Sequence, residues 1–371
     1  MLITDTLQMK NFADDRRLWQ GIPGIERTKG GKTFISFYSG KSGETFGNYA
    51  LVMKADDGIS FGNEPIAVAY AGDGERCFDP VIWIDPSDRL WFIWSRQPQN
   101  QVWGAICDHP DAETLVWGEE FLIGQGVMMN KPTVLSSGEW LFPIALWKSQ
   151  FMTAYRDPNA GVAELAYAVQ TVDGGKTFTV LGGTDIKDRC FDEHMIYEKE
   201  DGTLAMYVRT FYGIGVAYST DRGRTWTEGE DSGLGGPCSR FHIKRLRSGR
   251  TLLINHYNYD GRNNLTALLS EDGGKTYPYT LLLDGRRSVS YPDATEGDDG
   301  YIYIIYDRER GYCKNMESAL RSAREILIAK ITEDDIIKGE LQSADGYLAT
   351  VANKLGTLSP EVDISGYFPK N

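Results

Sequence analysis

The stretch STDRGRTW, residues 219–226, decides the fold because the chain repeats it. The segments TVDGGKTF at 171–178 and SEDGGKTY at 270–277 follow the same template, and KADDGISF at 54–61 is a looser copy. In each copy an Asp is followed two residues later by Gly, and then by Ser or Thr and an aromatic residue. The three close copies lie about 50 residues apart, a period that is typical of solenoids and β-propellers.

The four Asp residues of this template are interpreted as turn residues rather than as catalytic groups. They are Asp56, Asp173, Asp221 and Asp272. An Asp carboxylate accepts hydrogen bonds from the backbone N–H groups of its own turn, and Gly tolerates a left-handed backbone. The aromatic residue is expected to pack between neighbouring sheets. The template then makes the turn from the third strand of a repeat unit to the fourth.

A second repeat consists of an apolar strand, a turn with Gly or Asp, and another apolar strand. It occurs six times, for example at 194–209 and 241–257. A third strand follows each hairpin, so the sequence predicts an all-β protein, a six-bladed β-propeller of four-stranded antiparallel blades. Residues 1–371 form one domain in this prediction, and 340–371 form a C-terminal tail beyond the sixth blade. The blades are predicted to begin near residues 20, 77, 128, 190, 238 and 289. Helical periodicity is confined to a short turn at TEDDIIKG, 332–339.

Composition narrows the classes of partner. The net charge of −13 argues against a nucleic-acid partner. No apolar stretch approaches the roughly 18 residues of a membrane span, and the start of the chain lacks a secretion-signal pattern, so a cytoplasmic location is expected. The five Cys are scattered without a C-x-x-C motif, which favours reduced thiols over disulfides or zinc. Neither a metal nor another cofactor is expected, and the oligomeric state is left open.

The repeated template resembles the S-x-D-x-G-x-T-W "Asp box" of the sialidase (neuraminidase) superfamily, also called the BNR repeat. The resemblance extends from GIP at 21–23 to REILIAKI at 324–331. It implies that Tyr291, in VSYPDATE, is a nucleophile and that Glu193, in FDEHM, is its base. It also implies that Arg209 and Arg262 bind the carboxylate of a substrate.

Two departures from the family pattern concern the same site. Gly21 stands where the family has the first of three carboxylate-binding Arg residues, and Lys131 or Arg240 is a candidate to replace that charge. The loop at 39–49 contains no Asp for the acid/base role. Glu44 is its nearest stand-in there. Asp79, in RCFDPVIW, is interpreted either as a substrate contact or as a replacement acid.

Further polar side chains fall on the predicted inner strands, and alternation should direct about half of them into the central tunnel. The candidates for substrate binding are Lys131, His194, Arg240, His242 and Asp293, in addition to Arg209 and Arg262.

The function expected from these residues is a retaining exo-glycosidase acting on a terminal acidic sugar, sialic acid or a related one. A Tyr hydroxyl has a pKa near ~10 and needs a base, but a neutral phenol suits attack on an anionic sugar. Two alternatives stay open. One is a lyase on uronate-containing saccharides that uses Tyr291 with His194 or His242, and the other is a non-catalytic carbohydrate-binding propeller.

Overall fold

The strands pair into six separate antiparallel sheets, one for each predicted repeat unit. The computed structural model describes residues 1–148, 161–311, 314–365 and 367–368. The innermost strands of successive sheets contact one another in chain order, and the innermost strand of the last sheet contacts that of the first. The sheets therefore close into a ring around a central tunnel, which confirms the six-bladed all-β propeller.

The strands are numbered in chain order. Those of the first three blades are β1 Leu2–Ile3, β2 Trp19–Arg27, β3 Thr33–Gly40, β4 Tyr49–Ala55, β5 Ala67–Ala69, β6 Arg76–Ile84, β7 Leu90–Gln97, β8 Gln101–Cys107, β9 Phe121–Gln125, β10 Val127–Met128, β11 Thr133–Val134, β12 Trp140–Ala145, β13 Ala166–Thr171 and β14 Thr179–Thr184. Those of the last three blades are β15 Met195–Glu198, β16 Leu204–Thr210, β17 Gly213–Ser219, β18 Glu230–Asp231, β19 His242–Arg245, β20 Thr251–His256, β21 Leu265–Ser270, β22 Tyr279–Asp284, β23 Val289–Glu296, β24 Ile302–Arg308, β25 Glu325–Ile331 and β26 Tyr347–Lys354.

Helices are short. They are α1 Thr6–Met9, α2 Met316–Arg321 and α3 Glu333–Lys338, with 3₁₀ turns at Lys10–Phe12 and Asp14–Arg16. Helix α3 is the predicted turn at TEDDIIKG, and a capping box between Thr332 and Asp335 starts it. Within the described ranges, no helix has the length and apolar composition that crossing a membrane requires.

Two blades depart from four continuous strands. In the first blade, β1 adds a fifth strand at the outer edge by pairing with β5. In the third blade, the innermost strand is broken into β10 and β11, which both pair with β12. Pro132 lies in the break, and a Pro cannot donate a ladder hydrogen bond.

The interpretation of 340–371 as a tail beyond the sixth blade is wrong for its first half. Strand β26 lies inside that span and pairs with β25 as the outermost strand of the sixth blade. Among the described residues that follow β26, Leu358 and Tyr367 pack with Leu18, which directly precedes the first strand of the first blade. The long interval between the third and fourth strands, which contains α3, concealed the outer strand from the repeat pattern.

Hydrophobic residues fill every interface between neighbouring blades. Between the second and third blades, the Trp83 and Trp140 rings meet edge to face with centroids 5.1 Å apart, and Trp91 is fully buried against both. Such aromatic pairs contribute about 0.5–1.5 kcal/mol beyond their buried area. The core is therefore a ring of six interfaces around the tunnel.

The Asp template makes the turn after the third strand, as predicted. Asp221 Oδ1 accepts from the Thr225 backbone N–H at 2.9 Å, and Oδ2 accepts from the Thr225 hydroxyl at 2.6 Å. Hydrogen bonds from Thr225 lower the pKa of Asp221 to about 2. Trp226 packs into the interface between the third and fourth blades. These Asp residues lie on the outer part of the blades, away from the tunnel.

The looser copy of the template uses a different Asp from the predicted one. Asp57 accepts from the backbone of Ile59 and Ser60 at 3.0 and 2.7 Å. Asp56 instead forms an ion pair with Lys54 at 3.1 Å. The looser copy begins with Lys54 in place of a small residue, and its turn uses Asp57, one residue after the Asp of the template.

Candidate active site

Three inner strands carry the same irregularity, a β-bulge at a residue that precedes Pro. The bulges lie at Ile22–Pro23 in β2, Asp79–Pro80 in β6 and Tyr291–Pro292 in β23. Ile22, Asp79 and Tyr291 all have positive φ, at 59°, 48° and 57°. Such backbone costs of order 1–3 kcal/mol for a residue other than Gly and is typical of functional sites. The bulges turn Asp79 and Tyr291 toward one end of the tunnel, called the upper mouth here, where the inner strands begin.

The fourth blade supplies a further strained segment at the upper mouth. Phe191, Asp192 and Glu193 have φ values of 55°, 53° and 44°. The segment is fixed from both sides, because Arg209 N–H donates to the Asp192 carbonyl at 2.8 Å and the Arg189 guanidinium pairs with the Asp192 carboxylate. Glu193 is thereby held just before β15, with its side chain buried.

Tyr291, Glu193 and Arg209 contact one another directly. The Tyr291 hydroxyl donates to Glu193 Oε1 at 3.0 Å. Arg209 Nη1 donates to the Tyr291 oxygen at 3.1 Å and forms a short ion pair with Glu193 Oε1. Glu193 Oε2 is buried without a hydrogen-bond partner. The Glu193 carboxylate is therefore in position to accept the phenolic proton, and the Arg209 guanidinium is in position to stabilise the phenolate.

The Tyr291 hydroxyl is protonated in this environment. Burial is the main reason that its pKa rises to about 12, and the charge of Glu193 raises it further. Arg209, Arg262 and Arg310 act in the opposite direction. Removal of the proton thus depends on a base in contact with the hydroxyl, which is the position of Glu193.

Three further guanidinium groups surround the Tyr291 ring. Arg310, Arg262 and Arg240 lie 4.7, 5.3 and 5.5 Å from its centroid. Arg240 is committed to backbone carbonyls, donating to Met129, Pro23 and Tyr291 at 3.0, 2.6 and 2.9 Å. It therefore supports the bulges from beneath and does not replace the missing Arg.

Arg310 occupies the space that opens at Gly21. A Cβ placed on Gly21 would lie 2.2 Å from Arg310 Cδ and 2.6 Å from Arg310 Cγ, so any side chain there collides with Arg310. The Arg310 guanidinium is fixed by Glu44 at 3.2 Å and Asp307 at 3.8 Å. A guanidinium group from the sixth blade, that of Arg310, therefore lies beside Gly21, where the family has an Arg from the first blade.

Asp79 and Glu44 are both influenced by the charge of Arg76, but they differ in charge state. Burial raises the pKa of Asp79 well above its ordinary value, and the charges of Glu44 and Glu193 add to this rise. Burial also acts on Glu44, but Arg310 and Arg76 outweigh it and hold the Glu44 pKa below its ordinary value. Glu44 stays ionised between its two Arg partners, whereas Asp79 is the carboxyl group suited to carry a proton.

A cavity of about 430 Å³ lies beside this cluster. Its lining includes Arg262, Arg310 and Ser290. Arg262 Nη2 donates to the Cys238 carbonyl at 3.0 Å, and Arg262 is also part of the cavity lining. The volume is in the range of small-molecule sites and is large enough for a monosaccharide.

Three predicted binding residues lie instead at the other end of the tunnel, called the lower mouth, where the inner strands end. Lys131 Nζ contacts Glu26 at 2.9 Å and Asp293 at 3.1 Å, and His242 Nδ1 lies 3.1 Å from Asp293. A cavity of about 490 Å³ opens there. Lys131 therefore does not replace the Arg missing at Gly21, and its charge is neutralised by two buried carboxylates.

His194 also lies away from Tyr291. Its Nε2 is 2.9 Å from the carbonyl of Tyr167 in the third blade. Burial lowers its pKa to about 4, so the ring is neutral. The side chain therefore contacts the third blade and does not join the Tyr291 cluster.

Sequence reasoning missed Arg310, Arg76 and Tyr38. Arg76 Nη2 donates to the Tyr38 hydroxyl at 2.8 Å and pairs with Glu44 at 3.2 Å. The X-Pro pairs on the inner strands were the available signal for the bulges. Arg310 follows β24, the second strand of its blade, whereas the candidates were sought near the inner strands. The only signal for it in the sequence was the absence of the family's Arg at position 21.

The six-bladed ring and this cluster define the class of protein, a β-propeller with a charged site at one mouth of its tunnel. Residues 62–304, more than half of the chain, match the model of the BNR repeat-like domain, and the chain belongs to that family. No curated protein is similar enough in sequence to count as a relative.

Solved structures with the same fold include three sialidase-type proteins. The Hadza microbial sialidase Hz136 has a TM-score of 0.62 at 21% identity over 79% of this chain and 64% of its own. The intramolecular trans-sialidase from Ruminococcus gnavus, in complex with oseltamivir carboxylate, has 0.64 at 13% over 90% and 98%. The NanB sialidase from Streptococcus pneumoniae has 0.63 at 11% over 87% and 70%. The chain thus spans less than two thirds of the first of these proteins, and all three similarities establish the fold.

Proposed function

We propose that the protein is a retaining exo-glycosidase that hydrolyses a terminal acidic sugar, sialic acid or a related one. The observation that carries the proposal is the direct contact among Tyr291, Glu193 and Arg209. Its sialidase and trans-sialidase structural neighbours support the same reaction class.

In the first step the Tyr291 oxygen attacks the anomeric carbon and passes its proton to Glu193. The bond to the leaving group breaks, and a covalent glycosyl–Tyr291 intermediate forms. Arg209 stabilises the phenolate character of the oxygen during bond formation. A phenol approaches an anionic sugar without the charge repulsion that a carboxylate nucleophile would meet.

Asp79 donates the proton that the leaving oxygen needs. Its raised pKa keeps it protonated where Glu44 is ionised. In the second step the Asp79 carboxylate takes a proton from water, which attacks the anomeric carbon and releases Tyr291. The displaced phenolate recovers its proton from Glu193, so both steps balance and the anomeric configuration is retained.

Arg262 and Arg310 bind the carboxylate of the sugar. Both lie within 5.3 Å of the Tyr291 ring centroid and line the same cavity. Two guanidinium groups at such a site favour a planar anion through charge-assisted hydrogen bonds. The sugar class is therefore acidic, and its carboxylate points toward the fifth and sixth blades.

The lyase alternative required a His beside Tyr291. His194 contacts the third blade and His242 contacts Asp293 at the lower mouth. Neither position supports proton transfer at the Tyr291 site.

The test is hydrolysis of fluorogenic acidic glycosides, beginning with a sialoside, by the wild-type protein and Tyr291→Phe. The wild type is expected to turn over at least one, and Tyr291→Phe to lose about 10³-fold or more in kcat. Tyr306→Phe is the matched control, because Tyr306 is a buried Tyr of the same blade whose hydroxyl contacts Asp284.

Binding of acidic sugars without turnover would identify a carbohydrate-binding propeller. Equal activity of the wild type and Tyr291→Phe would exclude Tyr291 as the nucleophile.

A further inference from the structure

Two cysteines from different blades face one edge of the Arg209 guanidinium. Arg209 Nε donates to Cys238 Sγ at 3.2 Å, and Nη2 lies 3.9 Å from Cys190 Sγ. Nε and Nη2 form the same edge of the guanidinium plane, so the two sulfurs lie side by side. The remaining nitrogen, Nη1, contacts Glu193 and Tyr291.

The two thiols are joined to the arginines of the site through the backbone as well. Cys190 N–H donates to the Arg209 carbonyl at 3.0 Å, and Arg262 Nη2 donates to the Cys238 carbonyl at 3.0 Å. Cys238 therefore contacts Arg209 through its sulfur and Arg262 through its carbonyl. A chemical change at the two thiols would therefore alter the contacts of Arg209, which is proposed to stabilise the phenolate, and of Arg262, which is proposed to bind the sugar carboxylate.

Cys238 differs from the core cysteines in exposure and charge. Cys77 and Cys107 are buried, and burial raises the pKa of both thiols. Cys238 is partly exposed, and the hydrogen bond from Cys190 together with the Arg209 charge lowers its pKa. A partly exposed thiolate beside a second thiol is the arrangement that oxidants attack selectively.

We propose that Cys190 and Cys238 are an oxidant-sensitive dithiol, which a peroxide converts into a disulfide that displaces the sulfur contacts of Arg209. The effect on catalysis rests on the proposed function, whereas formation of the disulfide does not. The chemical class of reactant is a two-electron oxidant, with hydrogen peroxide as the simplest member.

The reaction balances with one peroxide molecule. The Cys238 thiolate attacks one peroxide oxygen, the O–O bond breaks, and hydroxide leaves and takes up the proton that the Cys238 thiol has lost. The Cys190 sulfur then attacks the sulfenic Cys238 sulfur, the S–O bond breaks, and a second water leaves with the Cys190 proton. Two thiols lose two electrons and two protons, and one peroxide becomes two water molecules.

The disulfide changes the environment of Arg209 in two ways. Its sulfurs approach to about 2.05 Å, so at least one must leave its position on the guanidinium. A disulfide also carries no negative charge to hold the Nε–Nη2 edge. Arg209 then loses the orientation in which Nη1 contacts Tyr291 and Glu193.

The experiment treats the reduced wild-type protein with stoichiometric hydrogen peroxide, blocks free thiols and maps peptides without reduction. A disulfide linking Cys190 and Cys238 is expected, with the protein lighter by two hydrogens. Hydrolysis of the acidic glycoside is expected to fall by 10-fold or more and to return with dithiothreitol. Each of the variants Cys190→Ser, Cys238→Ser and Cys107→Ser is compared with its own reduced form, and only Cys107→Ser should keep the reversible loss.

The proposed function is tested separately, by hydrolysis of the reduced protein before oxidant is added. Peptide mapping shows whether the Cys190–Cys238 disulfide forms, and this result does not depend on whether hydrolysis is detected. Absence of the 190–238 disulfide under peroxide would overturn the inference. A mapped disulfide with unchanged hydrolysis would overturn its effect on Arg209.

Discussion

The two mouths of the tunnel are built by the same inner strands but differ in which charged groups they hold and in backbone strain. At the lower mouth, Lys131 contacts two carboxylates, Glu26 and Asp293, and its charge is balanced. At the upper mouth, buried oxygens of Glu193 and Asp79 lack hydrogen-bond partners, and guanidinium groups crowd one Tyr ring.

Backbone strain follows the same division. Asp79, Glu193 and Tyr291 at the upper mouth all have positive φ, whereas Lys131, His242 and Asp293 at the lower mouth do not. Backbone strain is costly and is typical of functional sites. This difference in backbone strain supports the proposal that the active site lies at the upper mouth.

The largest expected effect on catalysis comes from substitution of Glu193, which tests the difference between the upper and the lower mouth. Glu193→Gln keeps the shape of the side chain but removes the base, and kcat is expected to fall about 10³-fold on a fluorogenic acidic glycoside. Glu198→Gln is the matched control at the end of the strand that follows, at the lower mouth, and should stay within about twofold. Equal losses in the two variants would erase the distinction between the mouths.

Lys131→Met should have the opposite signature, with stability lost and catalysis kept. The change leaves two buried carboxylates without their cation and is expected to lower the free energy of unfolding by about 3–5 kcal/mol. Urea unfolding measures this, with exposed Lys275→Met as the control. Hydrolysis per folded molecule should change little.

The pH dependence of the Lys131→Met effect has a definite sign. Burial opposes ionisation of Asp293, but Lys131 and His242 hold its pKa below the ordinary value. This stabilisation is present above the ordinary Asp pKa of about 4 and is lost as the pH falls through the depressed folded value. The difference between wild type and Lys131→Met should therefore shrink in acid, and a constant difference would contradict the ion-pair explanation.

Asp79→Asn separates proton donation from nucleophilic attack. Glycosides with poor alkyl leaving groups should lose about 10²–10³-fold in kcat/KM, and those with good aryl leaving groups should lose less. Because the Asp79 pKa is raised, the proton donor is present below that pKa and is lost as the pH rises through it, so wild-type kcat/KM should decline on the alkaline side. The variant should lack this alkaline decline, and an identical pH profile in both proteins would remove Asp79 from the mechanism.

Arg310 tests whether the sixth blade replaces the charge absent at Gly21. Arg310→Ala should lower kcat/KM for an acidic glycoside by about 10–100-fold, the order expected for one charge-assisted contact. Adding Gly21→Arg to Arg310→Ala should restore part of the loss, whereas Gly21→Arg alone should clash with Arg310. An equal loss on a neutral glycoside would show that Arg310 does not recognise the carboxylate.

The smallest effect is expected at the outer turns. Asp221→Ala removes the carboxylate that accepts from Thr225 but lies far from both mouths. The urea midpoint should fall slightly, by less than in Lys131→Met, and hydrolysis should not change. A large loss of activity would mean that the turn reaches the site.

Much of the fold was readable from the sequence because each blade repeats the same local chemistry. Asp, Gly and an aromatic residue recur where the third strand turns. This period located the inner strand that carries Tyr291 and the inner strand that follows Glu193. The outer strand β26 escaped because an insertion with α3 separates it from its hairpin.

The side-chain directions at the site were not readable from alternation. A bulge inserts one residue and reverses which side chains face the tunnel. Tyr291 and Asp293 therefore lie on one strand but belong to different mouths of the tunnel. Arg310 could not be assigned to the site from the sequence because it follows the second strand of its blade and not the inner strand. Its position also depends on the absence of a side chain at Gly21. The proximity of Arg310 to Gly21 comes from the closed ring and not from any local motif.

The central claim is that Tyr291 becomes covalently attached to an acidic sugar. The most direct measurement is incubation of the protein with a difluorinated sialic acid, in which the fluorine beside the anomeric centre slows breakdown of the intermediate, followed by intact-mass and peptide analysis. The account predicts a mass increase of one glycosyl unit located on Tyr291, and no increase in Tyr291→Phe. An adduct on another residue, or turnover of acidic glycosides by Tyr291→Phe at the wild-type rate, would contradict it.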